Sequence, residues 1–291
     1  MNPLIFGTAG VTGQCLCEYF RANQIPYIGF IHSQVDITHE KSVVEILKQH
    51  RPDVVFNTAG MTNVDECETK NELSFAVNTR APAFIASTCH QYGIHFIHMS
   101  TDYVFDGKKK TPYTEDDLPD PLSVYSQSKA EGEKGVQQAN PKALIVRVAG
   151  IFRGGGKTFF SKVRELIFQK DPIEVVSDRK GNCTYAPDLV QALVTLAKKK
   201  ASGIVHFTNE GDLSWFDFTQ ALVDTARQLG LNPRCQQVIP ISSKAFPFIA
   251  QRPLYSGLDK SRYCQLTGSS IRHWQETLPD FLHEKVSIQN Q

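Results

Sequence analysis

Leu4-Ile5-Phe6-Gly7-Thr8-Ala9-Gly10-Val11-Thr12-Gly13 is the stretch from which the fold is read. A short apolar run reads as a buried strand, and Leu16, Tyr19 and Phe20, beyond the glycines, fall at helical spacing. Strand, glycine turn and helix in succession give the glycines separate tasks. They let the backbone turn tightly, approach a pyrophosphate and pack the helix on the sheet, while the N–H groups at the helix start face the phosphates. With this context the motif reads as a dinucleotide-binding turn rather than a plain tight turn.

The pattern repeats outward from there. Tyr27–Ile31 reads as a second strand, ending in His32-Ser33-Gln34. No acid stands there for an adenosine ribose and no basic side chain for a 2′-phosphate, so NADH and NADPH both stay open; Asp36 is placed to face the adenine instead. Ser42–His50 reads as a helix, and Asp53–Gly60 as a strand ending in small residues that leave room for a ligand. A long helix is expected over Glu72–Tyr92, a strand over Ile94–Met99, a helix over Ser123–Ala139 and a strand over Ala143–Val148. Alternating strands and helices predict an α/β fold with a Rossmann-type, doubly wound parallel sheet. Residues 1–150 are assigned to this NAD(P)-binding domain, with a strand returned to it from about 203–209, and residues 151–291 mostly to a smaller, mixed α/β C-terminal substrate lobe. Gly154-Gly155-Gly156 reads as a mobile loop, and the polar residues from about Val286 as a frayed end.

Bulk properties narrow the function. A net charge of +1 over 291 residues gives no electrostatic case for nucleic acid or an anionic membrane surface. No apolar run approaches the roughly 18 residues of a membrane span, so no membrane association is expected. The chain enters directly into a strand-like run without a leader pattern, and its seven cysteines form no paired framework. Both point to a cytoplasmic protein with reduced thiols.

The chemistry concentrates where the strand Ile94–Met99 runs into Ser100-Thr101-Asp102-Tyr103-Val104-Phe105, and in Tyr125-x-x-x-Lys129. Residues i and i+4 share a helix face, so Lys129 can sit beside Tyr125. A nearby ammonium lowers a phenol from its ordinary value of about 10, toward the range useful for acid–base work. The remaining candidates read as structural. The nine histidines form no metal-ligand spacing, and His95 and His98 are assigned to packing or surface. Trp215 and Trp274 are assigned to lobe core, and Asp65, Glu66 and Glu68 to a helix start, where acids favour the dipole.

These blocks resemble the extended short-chain dehydrogenases/reductases and, within them, the dTDP-4-dehydrorhamnose reductase family. The similarity runs over nearly the whole chain. It includes Gly7-x-x-Gly10-x-x-Gly13, Asp36-Ile37-Thr38, Thr62-Asn63-Val64-Asp65-Glu66-Cys67-Glu68, Ser100–Phe105, Tyr125-x-x-x-Lys129, Asp178-Arg179-Lys180-Gly181 and Arg252-Pro253. The resemblance implies reduction of the C4 ketone of a dTDP-linked 6-deoxy sugar by NADPH or NADH, within dTDP-rhamnose and polysaccharide biosynthesis. It implies Tyr125 as proton donor, Lys129 on the nicotinamide ribose, and Thr101 on the substrate oxygen. It implies Gly7, Ala9, Gly10, Val11, Gly13, Asp36, Ile37, Ala59, Gly60 and Met61 as cofactor contacts, together with Tyr125 and Lys129. Asp102, Gly150 and Arg252 would meet the substrate with Thr101, Arg252 at the diphosphate, and Asn78 would assist a proton relay. The sequence departs from the family at Gly150, where a tryptophan usually lines the sugar site, and at Gly181-Asn182-Cys183-Thr184, where Gly-x-Pro-Thr is usual. Cys15 stands where some members carry a magnesium-binding glutamate, so no metal is expected. A homodimer is left open. A second reading is a non-catalytic, dinucleotide-binding regulatory subunit resembling that of methionine adenosyltransferase. An epimerase or dehydratase is disfavoured because Asp102-Tyr103 stands where a dehydratase carries Asp-Glu.

Overall fold

The central strands are apolar on both faces, so their sheet needs cover on two sides. The computed structural model describes residues 1–155 and 158–284; Gly156 of the expected glycine loop and the tail from Val286 lie outside the described residues. Strands β1 (Pro3–Phe6), β2 (Ile28–Phe30), β3 (Val54–Asn57), β4 (His95–Thr101) and β5 (Leu144–Val148) form a six-stranded sheet with the strand Gly203–His206. The order is Gly203–His206, β5, β4, β3, β1, β2, and every pairing is parallel. Alternation along the strands sorts side chains between two cores. Ile5, Phe56, Ile97 and Val146 pack with Leu16 and Phe20 of helix α1 (Val11–Ala22) and with Leu189 and Leu193 of the helix Ala186–Lys198. Leu4, Phe6, Val55, Phe96 and Ile145 pack on the other face, with Val43 and Leu47 of helix α2 (Glu40–His50).

The helix expected over Glu72–Tyr92 is composite. After α3 (Val64–Thr69) and α4 (Asn71–Phe75), the residues Ala76–Arg80 form a π turn, and α5 (Ala81–Gln91) continues from it. The Ala81 N–H donates to the Ala76 carbonyl, five residues back. Pro82 has no N–H to give the Asn78 carbonyl, so a regular ladder cannot hold across this point. That carbonyl faces helix α6 (Val124–Ala139) so closely that a Cβ on Gly132 would lie 2.1 Å from its oxygen. A glycine is therefore required at this crossing.

Helix α6 begins in a reciprocal capping box between Ser123 and Ser126. It is fixed to the sheet by an ion pair. Arg147 on β5 donates from Nε and Nη2 to Glu133 on α6, at 2.9 and 2.7 Å, and the Ser100 hydroxyl on β4 donates to the same carboxylate. The two charged side chains are 1% and 3% exposed.

A separate apolar core forms from residues after Gly150. It gathers Phe152, Phe160, Phe218, Trp274 and Phe281, with ring centroids 4.6 Å apart for Phe160 and Phe218. Short parallel pairs, Ile151–Phe152 with Thr184–Tyr185 and Ile173–Val176 with Val238–Ile241, support it.

Removing one member of a sealed ion pair strands the other charge. Arg147→Met is expected to lower stability by about 3–5 kcal/mol in urea unfolding, and adding Glu133→Leu to recover most of that loss.

Candidate active site

The sheet order changes direction at β1, whose neighbours are β2 on one side and β3 on the other. Open α/β sheets bind ligands at that point, beyond the carboxyl ends of the strands. The glycines there are forced by close packing. Gly7 has φ +90° and a Cβ on it would lie 2.6 Å from the Ala59 nitrogen, while a Cβ on Gly13 would lie 2.2 Å from the Gly7 carbonyl oxygen. A Cβ on Gly10 would meet only the Gly7 carbonyl, at 3.4 Å, and no side chain caps the start of α1. The first-turn N–H groups and a backbone without side-chain bulk make a cradle that fits a pyrophosphate.

Gly10 and Val11 of this turn, with Ala59 and Gly60 after β3, line a cavity of about 330 Å³. Its other wall carries Thr101, Asp102, Tyr125, Lys129 and Gly150. A second cavity of about 210 Å³ shares Thr101, Asp102, Tyr125 and Gly150 and extends to Arg179, Asn182 and Trp215, beyond Gly150 in the chain. Gly150 has φ +48°, and a Cβ there would lie 3.1 Å from the Phe160 ring, so the position is strained for any larger residue.

Tyr125 and Lys129 are adjacent on α6 and both buried. Burial pushes the Tyr125 phenol well above its ordinary value; the Thr101 hydroxyl pulls it partly back, and the Asp102 charge adds to the rise. The expected lowering of this phenol by Lys129 is not what the structure shows. The ammonium is turned onto β4, donating to the Met99 carbonyl at 2.5 Å and lying 3.3 Å from His98 Nε2, and burial dominates at the phenol. Burial brings Lys129 itself down to about 8, against the favourable charge of Glu133 one turn on. Thr101 accepts from the Tyr103 N–H at 3.2 Å and donates to Asp102 at 3.1 Å. Burial pushes Asp102 up to about 7, with the Ser256 and Thr101 hydroxyls opposing.

Other expected residues lie apart from this cavity. Ala9 lines a separate cavity of about 680 Å³ on the other flank of the glycine turn, with Arg21 and Arg153. The Asp36 carboxylate accepts from the N–H and hydroxyl of Thr38, at 2.9 and 2.8 Å, and Ile37 packs into the core. Asn78 does not face Lys129: its amide accepts from the Met61 N–H at 2.9 Å and donates to the Met61 carbonyl at 3.0 Å and to Ser128 at 3.1 Å. The π turn thus makes Asn78 a brace for the backbone at Met61. Asp65 is not simply a dipole acid. It holds Arg252 bidentately at 3.0 and 2.8 Å and accepts from the N–H groups of Ile249 and Ala250. Trp215 is half-buried against Phe159 on the cleft wall rather than in the apolar core after Gly150, where Trp274 lies.

Two residues with site geometry were given no site role in the sequence. Arg179 lies in both the inner cleft and an outer one of about 320 Å³, and its Nε and Nη1 are buried without a partner among the described residues. Its guanidinium is 4.7 Å from the Phe248 ring, which Arg252 also approaches, at 4.3 Å. Its only sequence signal was a place in the Asp178-Arg179-Lys180-Gly181 block. The other residue is His98, which is fully buried and stands against Lys129. Among the described residues, no group of three or more His, Cys, Asp or Glu side chains is placed to hold a metal ion, and no helix is long and apolar enough to cross a membrane.

The family profile described as the RmlD substrate binding domain matches residues 1–287. The chain belongs to this family. A dTDP-4-dehydrorhamnose reductase of Aggregatibacter actinomycetemcomitans is 33% identical, over 94% of this chain and 96% of its own length. A probable dTDP-4,6-dihydroxy-2-methyloxan-3-one 4-ketoreductase of Streptomyces antibioticus is 33% identical, over 97% and 96% of the two chains. The crystal structure of a Bacillus anthracis dTDP-4-dehydrorhamnose reductase in complex with NADP superposes with a TM-score of 0.91 at 28% identity, covering 98% of this chain and 99% of that one. This member of the RmlD family is thus an oxidoreductase of the dTDP-4-dehydrorhamnose reductase type, with its Rossmann-type sheet shared across the matched length. The reading as a non-catalytic regulatory subunit gives way to the enzyme.

Asp102 binds its proton more tightly folded than unfolded, so its contribution to stability falls as pH rises from about 4, its unfolded value, toward about 7. Asp102→Asn lacks this loss. Thermal unfolding is expected to show the variant gaining on the parent by roughly 4 kcal/mol between pH 4 and pH 8.

Proposed function

We propose that this chain reduces the C4 ketone of a nucleotide-linked 6-deoxy sugar with NADPH or NADH, taking dTDP-4-dehydro-L-rhamnose to dTDP-L-rhamnose. The observation that carries the reading is one cavity with the glycine turn on one wall and Thr101, Tyr125 and Lys129 on the other. The names of the relatives, two of them reductases of 4-dehydrorhamnose and one a 4-ketoreductase, support the same chemistry.

When bound, the dinucleotide supplies the hydride. The residues of the chain do the rest. The first-turn N–H groups of α1, reached across Gly7, Gly10 and Gly13, hold the pyrophosphate. Ala59 and Gly60 leave space for the nucleoside, and Lys129 donates to ribose hydroxyls. Tyr125 gives its proton to the C4 oxygen as negative charge develops there, and Thr101 donates a hydrogen bond to the same atom. A buried phenol holds its proton until that charge appears, which suits a donor. Asp102 accepts from a sugar hydroxyl. Arg179 takes the diphosphate: its N–H groups lack acceptors in the cleft, whereas the charge of Arg252 is already matched by Asp65.

The test is oxidation of NADPH and NADH by the purified chain, with dTDP-4-dehydro-L-rhamnose generated in situ. Sugar-dependent oxidation is expected, with kcat lowered about 10²–10⁴-fold in Tyr125→Phe while dinucleotide binding is kept. Dinucleotide binding without any sugar-dependent oxidation in the parent would overturn this substrate. In the same assay Arg179→Gln should raise KM for the sugar nucleotide roughly 10–100-fold, the cost of about one charged hydrogen bond, with little change in kcat.

A further inference from the structure

A histidine sealed from solvent lies against the lysine of the site. His98, on β4, is 0% exposed; its Nε2 is 3.3 Å from Lys129 Nζ, and its Nδ1 is 3.2 Å from the amide of Asn57, on β3 and also 0% exposed. A neutral imidazole has one donor and one acceptor. A proton on Nε2 would set it against an ammonium that has only protons to offer. A doubly protonated ring is opposed by burial and by the same cation, which hold His98 well below its ordinary value. The remaining form carries its proton on Nδ1 and accepts from Lys129 at Nε2. It also bears on the orientation of the Asn57 amide. With its nitrogen toward His98, the Asn57 amide leaves Oδ1 buried without a partner. Turned over, which exchanges the amide nitrogen and oxygen, it presents Oδ1 to the Nδ1 proton.

We infer that His98 is a positioning residue: a neutral imidazole, set in one tautomer by Asn57, that accepts a hydrogen bond from Lys129 and with the Met99 carbonyl fixes the direction of the ammonium in the cavity wall. The chain of bonds ends at Asn57 in the core, so it orients a charge and passes no proton to solvent. The charged and titratable groups around the ammonium are few. Tyr125 and Asp102 line its cavity, Glu133 stands one turn along α6 and is paired with Arg147, and His98 faces it from the sheet. His98 is thus the titratable side chain within hydrogen-bond distance of Lys129 Nζ among the described residues.

The inference rests on Lys129 acting as the cation of the proposed reaction, and its first test needs no reaction. In the full chain labelled with ¹⁵N-histidine, His98 should show its proton on Nδ1 and stay neutral between about pH 5 and 9. A proton on Nε2, or titration in this range, would overturn the proposal whatever the enzyme reduces. The second test is the pH profile of kcat/KM. Without the acceptor the ammonium loses its proton more readily, so His98→Leu should move the alkaline limb down by roughly one unit. His98→Gln, which returns an acceptor oxygen, should restore it. An unchanged limb in folded His98→Leu would also overturn the proposal. Should that variant not fold, the tautomer of the parent and the profile of His98→Gln decide.

Discussion

The site depends on the sealed pair between Glu133 and Arg147. Tyr125, Lys129 and Glu133 are spaced four apart on α6 and lie on its buried side. Glu133 is bound by Arg147 from β5 and by Ser100 from β4, so the helix can neither rotate nor slide without exposing an unpaired charge to the core. That cost, several kcal/mol for either partner alone, fixes the register of Tyr125 and Lys129 against Thr101 on β4. Positioning of the donor groups is thus set one turn away from the chemistry, in a place a ligand does not reach. The capping box at Ser123 and the close crossing at Gly132 act on the same helix, one at its start and one near its middle.

The chain after Gly150 supplies the complementary wall and a different electrostatic character. Two guanidinium groups flank one phenylalanine ring there, but among the described residues only Arg252 has a carboxylate. Asp65 is therefore a tie between distant segments as much as a local charge, drawing the segment 249–252 onto α3. The charge left over belongs to Arg179, where the smaller cavity meets the outer groove. At Gly150 the left-handed backbone and the Phe160 ring leave no room for a side chain, and the position lines both cavities. Trp215 and Asn182 bound the smaller cavity beside it.

Much of this was legible from local patterns. Strand, glycine turn and helix announced the sheet, because close packing at Gly7 and Gly13 leaves a mark at fixed spacing. Tyr125 and Lys129 announced a shared face because helical period alone brings them together. What the sequence hid depends on contacts between distant segments. Asp65 and Arg252 are 187 positions apart, and nothing in the run of acids after Asn63 distinguishes the one that holds Arg252. His98 looked like any histidine within an apolar strand until α6 laid Lys129 over it. Arg179 is informative only because its acceptors are missing, which is a property of the assembled cleft. The phenol of Tyr125 went the other way from expectation for the same reason. Adjacency on a helix predicts a cation beside it, whereas burial and the direction of the ammonium are decided by the sheet beneath.

The most direct test of the account follows the transferred atom. NADPH deuterated at the reactive face of C4 of its nicotinamide, incubated with the chain and dTDP-4-dehydro-L-rhamnose, should give a product carrying one deuterium at C4 of the sugar, seen by NMR and by a one-mass-unit shift. Product without deuterium at that carbon, or with it elsewhere on the ring, would contradict reduction of the C4 ketone in the cavity between the glycine turn and Tyr125.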